Sequence, residues 1–263
     1  MMPEGDTITR TARTLHAALA GRVLTRFDAP RLGQVAAVRP GTRVTGVEAV
    51  GKHCLVHLDD GRTLRTHMRM SGSWHLYRPR ERWRRTPGAA RVVLEVAPTE
   101  DAEGWVAVCF SAPVVELTAT ADVAVAHLGP DLCRADADLD EAVRRFLRSD
   151  PGREVGVALL DQTVSAGIGN VYKSEALYVC GLDPFTPVAD VTPEEARRLL
   201  GTAARLLRAN LDTHQRTTVV QGGVAVYGRA GRPCRRCGTL VLRRVHREDG
   251  RSSYWCPHCQ VHP

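Results

Sequence analysis

Hydrophobic and polar positions follow three successive patterns along this chain of 263 residues. The first pattern covers residues 5–20, where apolar side chains recur at near-helical spacing, at Ile8, Ala12, Leu15 and Leu19. Gly21 follows directly and is a residue type that commonly ends helices. The chain is therefore predicted to open with an amphipathic helix.

The second pattern consists of short runs rich in valine, leucine and threonine, which are typical of β-strands. They lie at residues 53–58, 62–68, 91–97 and 105–110. Asp60-Gly61 separates two of the runs and is a strong hairpin signal. The stretch 78–88, with five arginines around Trp83, is predicted to be an exposed loop that either touches nucleic acid or is solvated surface. Residues 23–127 are expected to form an antiparallel two-layer β-sandwich.

The third pattern is helical and begins after Leu128-Gly129-Pro130-Asp131. Helices are predicted from Asp138 through Leu147, over 153–162, from Asn170 to Gly181, and from Pro193 to about residue 212. A small-residue turn at 165–169 is short enough to make a tight helix-turn-helix. Thr192 and Glu195 form the sequence signature of a capping box. The fold class is thus α+β, with proposed domains 1–130, 131–228 and 229–263.

The composition indicates the charge of a binding partner. The net charge is +7 and the isoelectric point is near 9.2, which favours a polyanion. Only Lys52 and Lys173 of the 36 basic residues are lysines, so arginine richness by itself also fits a genome-wide coding bias. No apolar run approaches the roughly 20 residues that a membrane-spanning helix needs, and no secretory segment opens the chain. We expect a cytoplasmic protein.

Four cysteines near the C-terminus have the spacing of a closed zinc site, C-x2-C-x18-C-x2-C, at Cys234, Cys237, Cys256 and Cys259. Four thiolates saturate the ion, so the zinc is expected to be structural. Two disulfides in a secreted domain are the alternative. Arginines dominate the segment between the two cysteine pairs, at Arg243, Arg244, Arg247 and Arg251, and indicate a hairpin that contacts phosphate.

The N-terminal residues Met2-Pro3-Glu4-Gly5-Asp6 carry a second candidate chemistry. If translation starts at Met2 and that methionine is removed, Pro3 exposes a secondary amine, and an α-amino group is partly neutral near pH 8. Such an amine attacks an aldehyde-level carbon to form an iminium, and Glu4 can act as its general acid or base. Retention of Met1-Met2 would block the amine. A plain helix N1 role for Pro3 is the alternative.

Three motifs occur in one order along the chain: Met2–Thr7, then Leu160–Gln162 with Gly167–Glu175, then Val226–Arg229 followed by the two cysteine pairs and Tyr254–Gln260. Together they resemble the formamidopyrimidine-DNA glycosylase and endonuclease VIII family, and the Glu-Gly-Asp opening resembles the endonuclease VIII branch more closely. The resemblance covers essentially the whole chain. It implies a β-sandwich catalytic domain, a helix-two-turn-helix domain and a zinc-finger β-hairpin.

The resemblance also implies roles for single residues. Pro3 is similar to the family's nucleophile, which attacks C1′ of the damaged nucleoside, and Glu4 to its proton shuttle. Lys52 resembles the lysine that works near the sugar and contacts phosphate; solvated surface is the alternative for it. Asn170 and Arg251 resemble residues that hold the phosphate beside the flipped nucleotide. Free N–H groups at the start of the Asn170 helix would suit an anion, and a simple N-cap role is the alternative.

A flipped base leaves a void in the duplex that another group must fill. The segment His67–Gly72 resembles the strand end from which the family inserts an apolar side chain, so the resemblance implies that Met70 is the wedge and that Arg69 reaches toward the opposite strand. A methionine at alternate strand positions more often packs in a core, which is the alternative. His127 matches a possible phosphate contact. Only eight residues separate Thr218 from Tyr227, a shorter segment than the loop that the formamidopyrimidine branch folds over oxidised purine.

These features predict a bifunctional DNA glycosylase and abasic-site lyase of base-excision repair. It is expected to act on oxidised bases, mainly pyrimidines, in double-stranded DNA, to cleave the strand by β,δ-elimination, and to work as a monomer with one structural zinc. The alternatives are a zinc-containing protein that binds DNA or recognises lesions without catalysis, and an RNA-binding zinc ribbon.

Overall fold

The computed structural model describes residues 3–32, 38–39, 41–100, 102–119, 125–213, 215–219 and 222–261. These residues form two compact units. The first unit contains Pro3 and Thr7–His127, and the second contains Glu4–Asp6 and the chain from Leu128 onward. The three residues that follow Pro3 therefore make their contacts with the C-terminal half of the sequence.

Helix α1 spans Gly5–Leu19, and its apolar residues from Ile8 onward pack in the core of the first unit. Eight strands follow: β1 Leu24–Asp28, β2 Val44–Val50, β3 His53–Leu58, β4 Thr63–His67, β5 Ser73–Tyr77, β6 Ala90–Val96, β7 Trp105–Phe110 and β8 Val114–Thr118. They pair as two antiparallel sheets in the orders β1-β6-β7-β5 and β2-β3-β4-β8. The predicted sandwich and the Asp60-Gly61 hairpin are confirmed.

Alternation of side chains along the strands gives the first unit two apolar layers. One face of each sheet joins α1 in a shared core, which includes Leu15, Val56 and Leu94. The opposite face of the β6-β7-β5 strands carries a smaller cluster around Tyr77 and Phe110. The central strands are hydrophobic on both faces, because both of their faces are covered.

The second unit contains four α-helices in its described residues: α2 Leu139–Leu147, α3 Val155–Ala158, α4 Asn170–Cys180 and α5 Pro193–Arg208. One apolar cluster built from all four forms its core. Local signals fix three of the boundaries. Asp138 caps α2, Gly181 ends α4 in the left-handed conformation, and Thr192 and Glu195 form the expected capping box on α5.

Two helix lengths differ from prediction. Residues 153–162 were expected to be one helix, but α3 is a single turn at Val155–Ala158, and Asp161 beyond it accepts the backbone N–H of Thr163 instead of continuing the helix. Helix α5 ends at Arg208 rather than near residue 212. Just beyond it, the Asn210 side chain bonds the backbone of Leu206 and Thr217 and draws the chain into a turn.

The chain closes in a hairpin of strands β9 Leu242–Val245 and β10 Ser252–Trp255, which pair antiparallel next to the four clustered cysteines. None of the helices in the described part of the chain is long and apolar enough to cross a membrane.

Candidate functional site

Glu4 lies at the N-terminus of helix α4, although 165 positions separate it from Gly169. Its side chain is fully buried, and its carboxylate accepts hydrogen bonds from the backbone N–H groups of Gly169, Val171 and Tyr172 at 3.0, 2.8 and 3.3 Å. The first N–H groups of a helix lack intrahelical partners and carry partial positive charge, so they stabilise a buried carboxylate. Glu4 is held in one place next to Pro3.

Glycines make room for this approach. A Cβ atom added to Gly169 would lie 2.3 Å from Cδ of Glu4, and one added to Gly5 would lie 2.6 Å from Sγ of Cys133. Gly5 also donates its N–H to the carbonyl of Gly167 at 3.0 Å. Both positions require glycine because neighbouring atoms leave no room for a side chain: the Glu4 carboxylate at Gly169, and Cys133 and the Gly167 backbone at Gly5. Neither glycine has a left-handed conformation.

A buried ion pair supports the same segment. Arg216 donates to both carboxylate oxygens of Asp6, at 2.8 and 2.6 Å, and its guanidinium also lies 3.9 Å from Glu4 and faces the ring of Tyr172. Both charged side chains of the pair are at most 2% exposed. Burial alone would lower the pKa of Arg216, but the hydrogen bonds to Asp6 and the charge of Glu4 raise it. Arg216 therefore stays charged between two buried carboxylates.

The position of Asn170 corrects two expectations. Asn170 is the first residue of helix α4, while Gly169 occupies the N-cap position, so the N-cap alternative is wrong. The N–H groups that were expected to be free for a phosphate are bonded to Glu4. The Asn170 side chain is itself buried, and its Oδ1 has no hydrogen-bond partner in the described structure. An anion at this end of the helix would contact the Asn170 side chain rather than these three N–H groups.

Pro3 is half-buried and precedes helix α1, which begins at Gly5, so it is not the N1 residue of that helix. The question of the start site concerns Met1 and Met2, which lie outside the described residues.

Helix α4 organises two further segments of the second unit. Lys173 is fully buried, and its Nζ donates to the carbonyl of Ser252 at 3.1 Å, one residue after Arg251. Burial lowers the pKa of Lys173 to about 8. Glu175 is also fully buried and accepts three backbone N–H bonds, at 2.7 to 2.9 Å, from Ala225, Val226 and Tyr227. Lys173 and Glu175, in the motif around Asn170, therefore stabilise the fold through hydrogen bonds inside the protein.

The zinc hairpin meets the requirements of a four-thiolate site. The four Sγ atoms lie within 4.8 Å of one another, with Cys234–Cys259 at 3.9 Å and Cys237–Cys256 at 3.5 Å. A tetrahedral zinc with bonds of about 2.3 Å has sulfur–sulfur separations of about 3.8 Å. These four cysteines would hold one structural zinc, which cross-links the two ends of the hairpin and leaves no open position.

The arginines of the hairpin differ in their surroundings. Arg251 is exposed near the hairpin tip, and its backbone N–H donates to the side chain of Asp249. Arg243 donates to the hydroxyl of Ser252, and Arg244 lies over the ring of Phe185, with 3.3 Å between its guanidinium carbon and the ring centroid. Of the predicted phosphate contacts, Arg243 and Arg244 thus also have contacts inside the protein.

In the first unit, the predicted residue Lys52 belongs to a cluster of basic side chains. It sits in the turn before β3, and the rings of His53 and His67 lie 4.7 Å apart on β3 and β4. Burial first, and then the charges of neighbours that include Arg65, His127 and Lys52, lower the pKa of His53 to about 3. For His67 the same causes, with Lys52 and Arg69 among the charges, lower the pKa to about 4.

Both histidines are therefore neutral at physiological pH, and the positive charge of the cluster comes from the lysine and the arginines. Three of the predicted site residues, Lys52, Arg69 and His127, lie near this histidine pair, and Lys52 and Arg69 make the region electropositive.

Met70 stands on a tight turn between β4 and β5 and is 79% exposed, whereas Met68 is only 2% exposed. The N–H of Gly72 closes the turn onto the carbonyl of Met68, and Arg69 has a left-handed φ of 44°. A Cβ atom on Gly72 would lie 2.8 Å from the backbone of Met68, so the turn requires glycine there. The core alternative for Met70 is wrong: the side chain points into solvent.

Sequence reasoning missed four supporting residues: Asp6, Lys173, Glu175 and Arg216. One signal was available for Lys173, since only two lysines occur in the chain. No local signal marks Arg216, which lies in an irregular segment far along the chain from its partners.

Family comparisons match three parts of the chain. Residues 2–106 match the formamidopyrimidine-DNA glycosylase N-terminal domain, residues 128–221 the formamidopyrimidine-DNA glycosylase H2TH domain, and residues 231–261 the zinc finger found in FPG and IleRS. The last match agrees with the geometry of the four thiols, and the chain carries one structural zinc site.

Curated relatives are similar over the whole length. A probable endonuclease 8 2 of Streptomyces coelicolor is 46% identical over 100% of this chain and 95% of that protein. An endonuclease 8 2 of Mycobacterium tuberculosis is 41% identical over 98% of this chain and 100% of that protein. A protein of Mycolicibacterium smegmatis named DNA-(apurinic or apyrimidinic site) lyase Nei2 is 39% identical over 99% of both chains.

Among solved structures, the Lactococcus lactis formamidopyrimidine-DNA glycosylase bound to DNA with an abasic site has a TM-score of 0.81 at 21% identity, over 98% of this chain and 99% of that chain. A structure of MutM with DNA that contains carbocyclic 8-oxo-G has the same TM-score at 21% identity, over 98% and 100%. At this identity the likeness shows the fold.

Proposed function

The chain belongs to the formamidopyrimidine-DNA glycosylase and endonuclease 8 family, and from that premise we propose that Pro3 is the nucleophile of its reaction. As a member of this family the protein is a DNA glycosylase and abasic-site lyase of DNA repair. The finer proposal concerns the residues that do the chemistry, the lesion class, and a monomeric state in the cytoplasm.

The fixed carboxylate of Glu4 is the observation that carries this proposal. A buried carboxylate with three N–H donors stays in place, and the residue before it is the one that would present a terminal amine. In the proposed reaction the Pro3 nitrogen bonds to C1′, and the base leaves with the electron pair of the glycosidic bond. Glu4, as a carboxylate, takes the proton that the Pro3 nitrogen loses after it bonds to C1′. Glu4 then delivers this proton to the sugar oxygen as the ring opens, which yields an iminium on Pro3, and the departed base anion takes a proton from water.

The iminium then acidifies the neighbouring C2′ proton. Loss of that proton expels the 3′ phosphate, and a second elimination expels the 5′ phosphate, which is the β,δ-elimination of the family. Phosphates that leave as anions need cations nearby. We assign this task to Lys52, in the electropositive region of the first unit, and to the exposed Arg251 of the hairpin, while Asn170 contacts a flanking phosphate.

Access to C1′ requires a nucleotide outside the base stack, at a cost of a few kcal/mol. We propose that Met70 enters the vacated space, because its side chain is presented on a turn that glycine and a left-handed residue hold in one shape. Arg69 and His127 contact the strands beside it. The eight-residue segment between Thr218 and Tyr227 supports oxidised pyrimidines as the main lesion class.

Borohydride trapping tests the proposal directly. Wild-type protein is incubated with duplexes that carry 5-hydroxyuracil, thymine glycol, 8-oxoguanine or an abasic site, and Pro3→Gly is the control. We expect covalent adducts with the abasic site and the pyrimidine lesions, and intact mass should show Pro3 as the first residue. Duplex binding without any adduct would instead favour the non-catalytic lesion-recognition alternative.

A further inference from the structure

Residues 78–89, called the arginine loop here, connect β5 to β6 and carry an unusual concentration of unneutralised charge. Arg80, Arg82, Arg84 and Arg85 are all exposed. Within the described part of the chain none of the four forms an ion pair. By contrast, several other surface arginines of this unit are paired with carboxylates, as in Arg26–Asp28, Arg62–Asp60 and Arg65–Glu116.

The arginine loop has a defined structure. Trp83 packs on the outer apolar face of the sheet, with its ring 6.3 Å from that of Tyr77 and 5.8 Å from that of Phe110. The hydroxyl of Tyr77 accepts the backbone N–H of Arg84 at 3.1 Å, and Glu81 accepts that of Arg78 at 2.8 Å. The aromatic anchor fixes the backbone of the loop, and Arg82, Arg84 and Arg85 line one recess beside Trp83.

Two hydrogen bonds place the arginine loop beside the Met70 turn. Ser111, which has a left-handed φ of 51°, donates its N–H to the carbonyl of Ala89 at 2.8 Å. The carbonyl of Ser111 accepts the hydroxyl of Ser71 at 3.1 Å. Ser111 therefore bridges the end of the arginine loop to the residue that follows Met70.

The separation is short on the scale of DNA. Arg85 is four residues from Ala89, hence at most about 14 Å from it. The two hydrogen bonds through Ser111 and the step from Ser71 to Met70 add about the same distance again. Successive base steps rise about 3.4 Å, so the whole path from Arg85 to Met70 corresponds to at most about eight base steps. Burial lowers the pKa of His75 on β5, and the positive charges of Arg85 and Arg84 lower it further.

We propose that the arginine loop is a second DNA-binding surface, which holds backbone phosphates of the duplex within about eight base steps of the point where Met70 enters. The inference rests on the proposed function, because it uses Met70 to locate the duplex. Unpaired guanidinium groups on a fixed backbone suit phosphate oxygens, and they carry no sequence information. The loop would thus add affinity that is independent of the lesion.

The test is the salt dependence of binding for Arg82→Gln/Arg84→Gln/Arg85→Gln. Binding to a duplex with a tetrahydrofuran abasic analogue is measured by fluorescence anisotropy across a series of salt concentrations. Each lost phosphate contact should make the slope of log K against log salt less negative by about 0.9. Two or three contacts predict a change of about 1.8 to 2.7, with the largest loss of affinity at low salt.

A matched control removes the same number of positive charges elsewhere. Arg26, Arg134 and Arg197 are exposed and each contacts a carboxylate, so their replacement by glutamine lowers the net charge equally. An unchanged slope in the loop variant, or an equal change in the control, would overturn the proposal. If the triple variant fails to fold by circular dichroism, the three single variants are measured, each with an expected change of up to about 0.9.

The analogue lacks the C1′ leaving group and forms no Schiff base, so this assay does not depend on Pro3. Failure of the proposed function would appear as absent borohydride adducts, and failure of the arginine loop as an unchanged salt slope.

Discussion

Gly169→Ala should displace the Glu4 carboxylate while it leaves the rest of the fold intact. The backbone of Gly169 is extended, with φ −121° and ψ −167°, a conformation that alanine adopts without strain. The added methyl group would lie 2.3 Å from Cδ of Glu4, so the carboxylate must move by roughly 1 Å to reach van der Waals distance.

That displacement weakens the hydrogen bonds from Gly169, Val171 and Tyr172. Bonds to a charged group contribute about 1.5–3 kcal/mol each, so loss of one or two predicts destabilisation of about 2–5 kcal/mol. Misplacement of a catalytic group by about 1 Å costs on the order of 100-fold in rate. We therefore expect a folded but less stable protein with about 100-fold slower chemistry.

Single-turnover cleavage of an abasic duplex measures the rate, and urea unfolding measures the stability. Gly152→Ala is the matched control, because its Cβ would have only an ordinary contact of 3.6 Å with the side chain of Asp150. Borohydride adduct formation should slow in parallel with cleavage. Wild-type rates in a folded Gly169→Ala protein would refute the idea that the position of Glu4 governs the reaction.

Other expected outcomes follow from the same contacts. Arg216→Met should lower the free energy of unfolding by about 3–5 kcal/mol, because it leaves Asp6 buried without its cation, and Asp6→Asn in the same protein should recover part of the loss in urea titrations. Burial lowers the pKa of Lys173 to about 8, so between pH 8 and about 10.4 the unfolded state binds more protons and this residue makes stability rise with pH. Lys173→Met should remove that rise, worth about 3 kcal/mol across the window, in urea unfolding at pH 7.5, 9 and 10. Chelation of zinc, or Cys259→Ser, should release the metal and weaken duplex binding in anisotropy titrations, because the hairpin loses its cross-link. Met70→Ala should slow base excision from duplex DNA by about 10- to 100-fold, since the wedge offsets a few kcal/mol of unstacking, while cleavage of an abasic single strand should be unaffected.

Local patterns predicted the parts of the fold that local interactions determine. Strands β3 and β7 match their predicted bounds, since most of their side chains are buried, four of six in β3 and five of six in β7. Strand β5, Ser-Trp-His-Leu-Tyr, escaped detection because it is an edge strand with mixed side chains. The lengths of α3 and α5 were overestimated because Asp161 and Asn210 bond the backbone in ways that periodicity does not report.

In the candidate site, too, local sequence predicted some features and missed those that depend on distant parts of the chain. The spacing of the four cysteines predicted their cluster, which the structure confirms, whereas the roles of Glu4 and Lys52 stay predictions from the motifs. The position of the Glu4 side chain was not predicted from the sequence. It depends on contacts with Gly169 and with the buried Arg216, which only the folded chain brings close to Glu4. Asn170 was correctly predicted to begin a helix, but the anion at the N-terminus of that helix is the carboxylate of Glu4.

The long sequence separation between Glu4 and its helix has a consequence for synthesis. The N-terminal residues leave the ribosome first, yet their binding partners at 169–172 and 216 are made more than 160 residues later. Domains generally fold in order of synthesis, so the β-strands can assemble while Glu4 still has no partners. A nascent or C-terminally truncated chain would carry Pro3, the proposed nucleophile, next to a Glu4 side chain that nothing holds in place. The proposed reaction would then require the chain to be complete at least as far as Arg216.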